Sequence, residues 1–359
     1  MATVRAISGS GAKGPACFLV ETDDARVLLD LGYGPQPGLW PDVSGIGRVD
    51  AIVLSHGHND HAGGLKLADR IGNPPVHASA AVIATLATAL DTHELPSHGS
   101  ASVCGITLRT GRNGHAPGGI WLHADIGDGL LYTGDYCVES LIYAYDPPPE
   151  ASTVILDASY GAYDAPLADC MEALAPVFAA QVSLLPVPVR GRGPEIAFHL
   201  TETRGRLPAI GTDLRAALRD MAASPETQGI RREAKGTLAR IADEAPPLDT
   251  ESGPLLAGAA DGTSGEAAAL LAQWETANDH PIVFTGYLPP GTPAQRLTDS
   301  GRARYVRWNV HPRLADNAAL VRATRARTVM PAFGDRRHEA AWARAFAPAR
   351  IVFNEKIEL

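Results

Sequence analysis

The stretch "VDAIVLSHGHNDHAGG", residues 49–64, joins an apolar run to a dense group of side chains that bind metals. Its first seven residues form the kind of apolar segment that is buried on both faces of a sheet. The ligand-type residues that follow are His56, His58, Asp60 and His61. Imidazoles two positions apart at the end of a strand can point the same way and share one metal. The spacing therefore predicts a metal site directly after a buried strand.

The same stretch is compatible with a second ion, because Asp60 and His61 begin the helix that we predict after the strand. Neutral imidazoles combined with carboxylates suit Zn²⁺ best, with Mn²⁺ or Fe²⁺ as alternatives. A solvated surface loop rich in histidine is the competing interpretation. Four ligand-type residues at this spacing, immediately after an apolar strand, argue against it.

Length, charge and cysteine content narrow the class of protein. A chain of 359 residues predicts two domains, or one large domain with an insertion. The net charge of −9 argues against a protein that binds nucleic acid non-specifically, although it leaves room for a local basic groove. Four widely spaced cysteines indicate reduced thiols, and no apolar stretch suits a signal peptide or a membrane span. We therefore expect a cytoplasmic protein that does not bind a membrane, and the oligomeric state stays open.

Strand patterns dominate the chain up to about residue 164 and return near residue 303. Between these points, Ala-rich amphipathic segments alternate with short apolar strands, which predicts a small parallel sheet. The amphipathic segments cover residues 165–181, 213–223, 231–243 and 265–277. We also expect a buried helix over residues 78–90 and a surface connection over residues 244–258.

The motif "HGHNDH" resembles the metal-binding signature of the metallo-β-lactamase fold superfamily, an αββα sandwich of hydrolases. Three further residues fit the pattern of this family in chain order. Asp30 in "LLDLG" matches an early structural aspartate, His115 in "GHAPGG" a third metal histidine, and Asp135 in "YTGD" an aspartate that bridges two metals. The resemblance implies an α/β fold in which these residues meet.

Later segments resemble the β-CASP branch of this superfamily, whose members process RNA and DNA and include ribonuclease J. The segments follow "VILDASYG" (154–161) and are "PVRGRGPEIAFHL" (188–200), "FTGYLPPGT" (284–292) and "NVHPRLADNAAL" (309–320). The branch implies a cap domain inserted into the sandwich. We therefore expect a first part of the metallo-β-lactamase domain over residues 1–164, a β-CASP-like cap over 165–300 and a return to the first domain over 301–359.

The resemblance also implies roles for individual residues. The metal ligands would be His56, His58, Asp60, His61, His115 and Asp135. The catalytic residues would be Asp60, Asp157 and His311. Asp157 would orient His311, which would donate a proton to the leaving group or bind its oxyanion. A water activated by the metal would be the nucleophile. Arg190, Arg192 and Tyr287 would contact the substrate, the two arginines by gripping a phosphate.

Two classes of function agree with these residues. The first is a metal-dependent phosphodiesterase or nuclease that acts on RNA or single-stranded DNA. The alternative is a hydrolase of a small-molecule ester, thioester or lactone on the same framework. The acidic net charge weakens the first class, whereas the "GRGPE" and "GYLPPGT" segments support it.

The sequence departs from the family at the last metal histidine, because Phe333 in "VMPAFGD" stands at that position. Phenylalanine cannot bind a metal. Three outcomes follow from this replacement. In the first, the second site keeps only Asp60, His61, Asp135 and water. In the second, Asp335 or His338 takes the place of the missing histidine. In the third, His311 becomes a metal ligand. We favour a second site that lacks one protein ligand.

Overall fold

The computed structural model describes residues 2–225, 228–249, 253–277, 280–353 and 356–359. The first part of the chain contains β1 (Thr3–Ser8), β2 (Cys17–Glu21), β3 (Arg26–Leu29), β4 (Ala51–Val53), α1 (Asn59–Ala62), a 3₁₀ helix (Gly63–Ile71), β5 (Val76–Ser79), α2 (Ala80–Ile83), β6 (Thr92–Leu95), β7 (Gly99–Val103), β8 (Ile106–Arg112), β9 (Ile120–Ala124), β10 (Leu130–Tyr132) and β11 (Thr153–Asp157).

The middle part contains α3 (Leu167–Ala179), β12 (Val182–Val187), α4 (Arg192–Arg204), β13 (Ala209–Ile210), α5 (Thr212–Ala223), α6 (Arg232–Glu244), β14 (Gly253–Gly258), α7 (Gly265–Ala277), β15 (Val283–Phe284), α8 (Pro293–Asp299) and β16 (Arg304–Tyr305). The last part contains α9 (Leu314–Thr324), β17 (Thr328–Ala332), a 3₁₀ helix (Arg336–His338), α10 (Glu339–Phe346), β18 (Arg350–Ile351) and β19 (Ile357–Glu358).

Two seven-stranded sheets form the centre of the molecule. The first has the strand order β19-β1-β2-β3-β4-β5-β6, and the second has the order β18-β17-β11-β10-β9-β8-β7. Each sheet therefore combines strands from the first and last parts of the chain. Inward-facing side chains such as Phe18, Val20, Leu122, Ile155 and Met330 form one apolar layer between the sheets.

Neighbouring residues on the same strands point to the outer faces, where helices cover them. Leu19 of the first sheet packs with Leu67 and Ile71 of the 3₁₀ helix. Leu156 of the second sheet packs with Val321 of α9 and with α10. This alternation is the period-two pattern of a strand that is buried on both sides. The predicted α/β class and αββα sandwich are confirmed.

The segment between β11 and β17 builds a smaller sheet of its own. Its strands β12, β14 and β13 are all parallel, as the βα pattern predicts. The four predicted amphipathic segments correspond to α3, α5, α6 and α7. We expected a surface connection over residues 244–258, and this was wrong for residues 253–258. They form the fully buried central strand β14, although residues 250–252 lie outside the described part of the chain.

The predicted buried helix over residues 78–90 is also wrong. The helix α2 is only four residues long, and Ser79 caps its start through a hydrogen bond from the Val82 amide. Val82 is the only large apolar side chain of this stretch that is buried, and most of residues 84–90 are exposed. Alanine and threonine side chains bury too little apolar area to hold a longer helix against the sheet.

The loop that carries the metal-type side chains is held by close backbone packing against Gly32. The amide of Leu31 donates to the carbonyl of His61 at 2.9 Å, and the amide of Ala16 donates to the carbonyl of Asp60 at 2.8 Å. A Cβ atom on Gly32 would lie 1.8 Å from the carbonyl oxygen of Asp60. Any side chain at position 32 would therefore push α1 away from the strand ends.

We expect Gly32→Ala to lower the free energy of unfolding by about 1–3 kcal/mol, because a tightly packed backbone contact has to open. Urea unfolding of the purified variant measures this change. Gly236→Ala is the matched control, because Gly236 lies on the exposed side of α6 with open space around it. That variant should gain about 0.5–1 kcal/mol. Equal losses in both variants would contradict the packing argument.

Candidate metal centre

The metal-type side chains lie at the ends of strands from both sheets. His56 and His58 follow β4, His115 follows β8, Asp135 follows β10, and Asp157 is the last residue of β11. The strands β10 and β11 are parallel neighbours, so their carboxyl ends meet at one edge of the second sheet. The sandwich therefore brings residues that are far apart in the sequence to one place.

The first ligand group contains four side chains whose ligand atoms all lie within 4.8 Å of one another. They are His56, His58, His115 and Asp135. The Nε2 atom of His115 is 3.0 Å from Nδ1 of His58 and 3.5 Å from Oδ2 of Asp135. Nitrogen ligands around one tetrahedral zinc would be about 3.3 Å apart. The first ligand group therefore has the spacing of a shared ion.

The hydrogen-bond state of this group also fits a cation. His115 donates from Nδ1 to the carbonyl of Val310 at 2.6 Å, which turns Nε2 toward the other ligands. The Nε2 atom of His56 lies 3.8 Å from Oδ2 of Asp135 and is buried without any hydrogen-bond partner. Buried polar atoms are normally paired, so an unpaired nitrogen that faces a carboxylate and two further imidazoles is well placed to bind a cation.

The protonation states agree with metal binding. Burial lowers the pKa of His56 and His115 well below its usual range, and it also lowers the pKa of His58. These imidazoles are therefore neutral near pH 7 and have lone pairs to donate. Burial alone would raise the pKa of Asp135, but the neighbouring histidines, His61 first, hold it well below its usual range. The carboxylate is therefore ionised.

The second ligand group consists of Asp60, His61 and Asp135. Nε2 of His61 lies 3.3 Å from Oδ1 of Asp135, and its Nδ1 bonds the buried carboxylate of Asp30 at 2.7 Å. Burial alone would lower the pKa of His61, but Asp135 and Asp30 raise it well above its usual range. Asp135 thus faces the first ligand group with one oxygen and the second with the other.

Phe333 lies beside the second ligand group. Its ring centre is 5.0 Å from that of His61, and the side chain is buried in the layer between the sheets. Asp335 and His338 belong to none of the ligand groups found among the described residues. The second ligand group therefore has three protein ligands.

Lys13, in the loop between β1 and β2, lies in the same cavity as Asp60 and Asp135 of the second ligand group. We did not predict this residue from the sequence. Its ammonium is 3.4 Å from Oγ of Ser159 and 5.8 Å from the centre of the Phe333 ring. Burial alone would lower the pKa of Lys13, but the carboxylates of Asp60, Asp135 and Asp157 raise it. Only the glycine-rich context "GSGAKG", with one of the four lysines of the chain, could have drawn attention to it.

Asp157 and His311 form a hydrogen-bonded pair on the other side of Asp135. Nδ1 of His311 is 2.9 Å from Oδ2 of Asp157, which also accepts the amide of Tyr136. The Asp157 side chain is fully buried, whereas His311 is partly exposed. The pair therefore presents the second nitrogen of the His311 ring to the open side of the site.

Comparison with known proteins agrees with this geometry. Residues 11–178 match the sequence profile of the family described as "Metallo-beta-lactamase superfamily". The chain contains a metallo-β-lactamase domain. Every member of the first and second ligand groups lies within the matched residues.

Several curated proteins are similar to the chain over part of its length. It is 27% identical over 263 residues to the transcription termination factor FttA of Methanosarcina mazei, covering 58% of this chain and 40% of the relative. It is 32% identical over 103 residues to ribonuclease J 1 of Streptococcus pyogenes, covering 26% of this chain and 18% of the relative. The chain thus spans less than half the length of these relatives. The resemblance to the branch that includes ribonuclease J is confirmed.

Two further matches extend the comparison. Ribonuclease TTHA0252 of Thermus thermophilus is 28% identical over 166 residues, covering 39% of this chain and 36% of the relative. The crystal structure of a protein of unknown function from Enterococcus faecalis V583 superposes with a TM-score of 0.63 over 100% of both chains, at 13% identity. At this identity the superposition shows a shared fold.

The three predicted substrate-contacting residues line one cavity of about 510 Å³ beside the ligand groups. Arg190 is exposed at its rim, and Tyr287 is 45% exposed. Arg192 begins α4 and lies against the backbone of Gly286, where a Cβ atom would be 2.2 Å from Nη2. Its Nε atom is buried without a hydrogen-bond partner, and burial lowers the pKa of the guanidinium. A guanidinium whose Nε–H has no partner is well suited to an anionic ligand.

A second cavity, of about 380 Å³, adjoins the first and contains basic and aromatic residues that the sequence argument missed. The guanidinium carbon of Arg307 lies 4.2 Å from the ring centre of Tyr160. The hydroxyl of Tyr160 accepts the Val310 amide at 2.9 Å. No spacing in the sequence pairs these residues, because they meet only through the fold.

Glu195 of α4 is a buried acid that joins two distant parts of the chain through hydrogen bonds from Ser140 and Trp308. Oε2 accepts the indole N–H of Trp308 at 2.9 Å, and Oε1 accepts the Ser140 hydroxyl. Burial raises the pKa of Glu195 to about 7, despite these hydrogen bonds. The folded protein therefore holds a proton here that an unfolded chain loses at lower pH.

This proton makes stability depend on pH. Glu195 ionises near pH 4.5 in the unfolded chain and near pH 7 in the folded protein. The free energy of unfolding should therefore fall as pH rises through this window, by about 3 kcal/mol from this group. Glu195→Gln should remove that part of the slope in urea unfolding at several pH values. The exposed Glu172→Gln is the control and should keep it. A wild-type slope in Glu195→Gln would contradict the assignment.

Proposed function

We propose that this protein is a metal-dependent phosphodiesterase that cleaves RNA or single-stranded DNA. The observation that carries the proposal is the convergence of two features on one cavity. Members of the first ligand group and His311 line this cavity, and so does Arg192, whose Nε atom is buried without a hydrogen-bond partner. A hydrolytic centre that faces an anion-binding wall suits a phosphodiester substrate.

The first ligand group would hold one ion, and the second would contribute Asp60 and His61 to any further cation. Zinc suits three neutral imidazoles with a carboxylate, with manganese or iron as alternatives. When bound, such an ion lowers the pKa of a water molecule and polarises the oxygen under attack. Asp60, on the open side of the site, would accept the proton of the attacking water.

His311 would donate a proton to the leaving oxygen. Asp157 keeps Nδ1 of the ring engaged, so that the other ring nitrogen faces the cavity and can carry the transferred proton. Arg190, Arg192 and Tyr287 would position the phosphate and an adjacent group of the substrate. The planar guanidinium of Arg192 suits two hydrogen bonds to one phosphate.

RNA is supported as a substrate by the printed names of two relatives, ribonuclease J 1 and ribonuclease TTHA0252. The net charge of the chain is −9, but its two adjoining cavities have a basic wall. That wall contains Lys13, Arg190, Arg192 and Arg307. The local basic surface is what recognition of a phosphate backbone requires.

The domain boundaries belong to the same proposal. Residues 165–300 would form the cap, and residues 1–164 and 301–359 would form the metallo-β-lactamase domain. The separate parallel sheet β12-β14-β13 supports this division, and α4 brings Arg192 from the cap to the cavity. We place the protein in the cytoplasm, where RNA is processed. None of the described helices is long and apolar enough to cross a membrane.

Purified protein loaded with zinc or manganese should cleave short labelled RNA or single-stranded DNA. Asp135→Asn should lower the rate of cleavage by more than about 100-fold. Loss of a residue that only hydrogen-bonds to a metal ligand typically costs roughly 10–100-fold, whereas Asp135 belongs to both ligand groups itself. Asp91→Asn is the control, because Asp91 is an exposed carboxylate that pairs with His93 outside the ligand groups. Turnover of a small ester without cleavage of either polymer would instead support the small-molecule alternative.

The role of His311 has a test of its own. His311→Ala should lower kcat by about 10²–10⁴-fold, the usual contribution of a general acid. The metal content of the variant should equal that of the wild type, because His311 is not in the first or second ligand group. Elemental analysis and single-turnover kinetics measure both quantities. Loss of a metal ion in His311→Ala would show that the histidine is a ligand instead.

A further inference from the structure

We propose that the centre binds a single metal ion, in the first ligand group, and that the ammonium of Lys13 is its second cation. This inference rests on the proposed metal centre, and it specifies how that centre is built in this chain. It concerns the second ligand group, where Phe333 stands beside His61.

The second ligand group gains no protein ligand from position 333, because a phenyl ring occupies it. The Phe333 ring is buried, lies edge-on to His61 and packs 6.1 Å from the ring of Phe18. An aromatic ring in this place supplies no lone pair and excludes water from that side. An ion there would keep only Asp60, His61 and Asp135, one of which is shared with the first ligand group.

Lys13 brings a positive charge to the same carboxylates. Its ammonium lies between the Phe333 ring and the hydroxyl of Ser159. Burial alone would lower the pKa of Lys13, but the carboxylates of Asp60, Asp135 and Asp157 raise it. Lys13 lines both cavities of the site, so its charge faces the open side where a second ion would lie.

The backbone holds Lys13 and Phe333 together. The amide of Phe333 donates to the carbonyl of Gly9 at 2.7 Å, and the amide of Arg336 donates to the carbonyl of Gly11 at 3.1 Å. Gly9 also makes room for the aromatic ring, since a Cβ atom there would lie 3.1 Å from the Phe333 side chain. The loop that carries Lys13 is therefore built around the residue that replaces the histidine.

The charges of the site favour one ion over two. Asp60, Asp135 and Asp157 carry three negative charges, which one divalent ion and one ammonium balance. A second divalent ion would leave the group with a net positive charge while Lys13 stayed in place. It would also share a cavity with the ammonium, and like charges repel each other. The Lys13 charge and a second metal ion therefore exclude each other.

Metal stoichiometry tests the inference without any substrate. Chelator-treated protein is titrated with Zn²⁺, and bound metal is counted by calorimetry and by elemental analysis after gel filtration. The wild type should bind one ion per chain. Phe333→His should still bind one, because Lys13 remains. The double variant Lys13→Met with Phe333→His should bind two, because a ligand is gained and the repelling charge is lost.

Histidine should be accepted at position 333, because the backbone there has a φ of +61°, a region in which histidine is enriched. Lys66→Met with Phe333→His is the matched control, since Lys66 is exposed, and it should bind one ion. If the double variant does not fold, electron paramagnetic resonance of Mn²⁺-loaded wild type decides. An uncoupled single-ion spectrum supports the inference, and an exchange-coupled pair overturns it.

The outcomes separate this inference from the proposed function. Two zinc ions in the wild type, or one in a folded double variant, overturn the role of Lys13 and leave the phosphodiesterase proposal standing. A wild type that binds no metal overturns both. One ion in the wild type and two in the double variant support the inference, whatever substrate the enzyme proves to cleave.

Discussion

The buried carboxylate of Asp30 joins the two sheets beneath the metal centre. It accepts the amide and hydroxyl of Ser55 at 2.7 and 2.6 Å, Nδ1 of His61 at 2.7 Å, and the hydroxyl of Tyr132. Ser55 follows β4 of the first sheet, whereas Tyr132 belongs to β10 of the second. An unpaired carboxylate in this layer would cost several kcal/mol, and these donors offset that cost. The arrangement of the sandwich and the orientation of His61 thus depend on the same group.

The chemistry of the centre follows from its burial. Burial removes the proton from the histidines of the first ligand group, while neighbouring histidines keep Asp135 ionised. The same side chains in water would exchange protons near pH 7 and would hold an ion less firmly. The strand ends provide the positions, and the low polarity of the layer between the sheets provides the protonation states.

The family resemblance of the "HGHNDH" motif predicted the sandwich, and the structure brings His56, His58, His115 and Asp135 together, as that resemblance implies. The apolar run before His56 has to be a buried strand, and the spacing of the histidines follows the strand end. Strand β14 was missed because its glycine and proline resemble a loop, yet it is the centre of a parallel sheet. The helix predicted over residues 78–90 was wrong because its small side chains follow an apolar pattern but bury too little apolar area to hold a helix against the sheet. Composition and periodicity do not predict which face of a helix or strand a neighbouring helix or strand will cover in the folded protein.

Lys13 was beyond such patterns for a further reason. A single lysine in a loop forms no sequence pattern from which a role can be predicted. Its proposed role depends on Phe333, which lies 320 residues later and whose loop is hydrogen-bonded to the loop of Lys13. The replacement of a histidine by phenylalanine removes a ligand, whereas a tethered ammonium supplies charge without a coordination site. An ammonium cannot lower the pKa of a bound water as a metal does, so the nucleophile has to arise at the first ligand group. If Lys13 is the second cation, its charge stabilises the negative charge of the phosphate in the transition state, while the single ion activates the attacking water. The two tasks of a metal pair are then divided between one ion and one side chain.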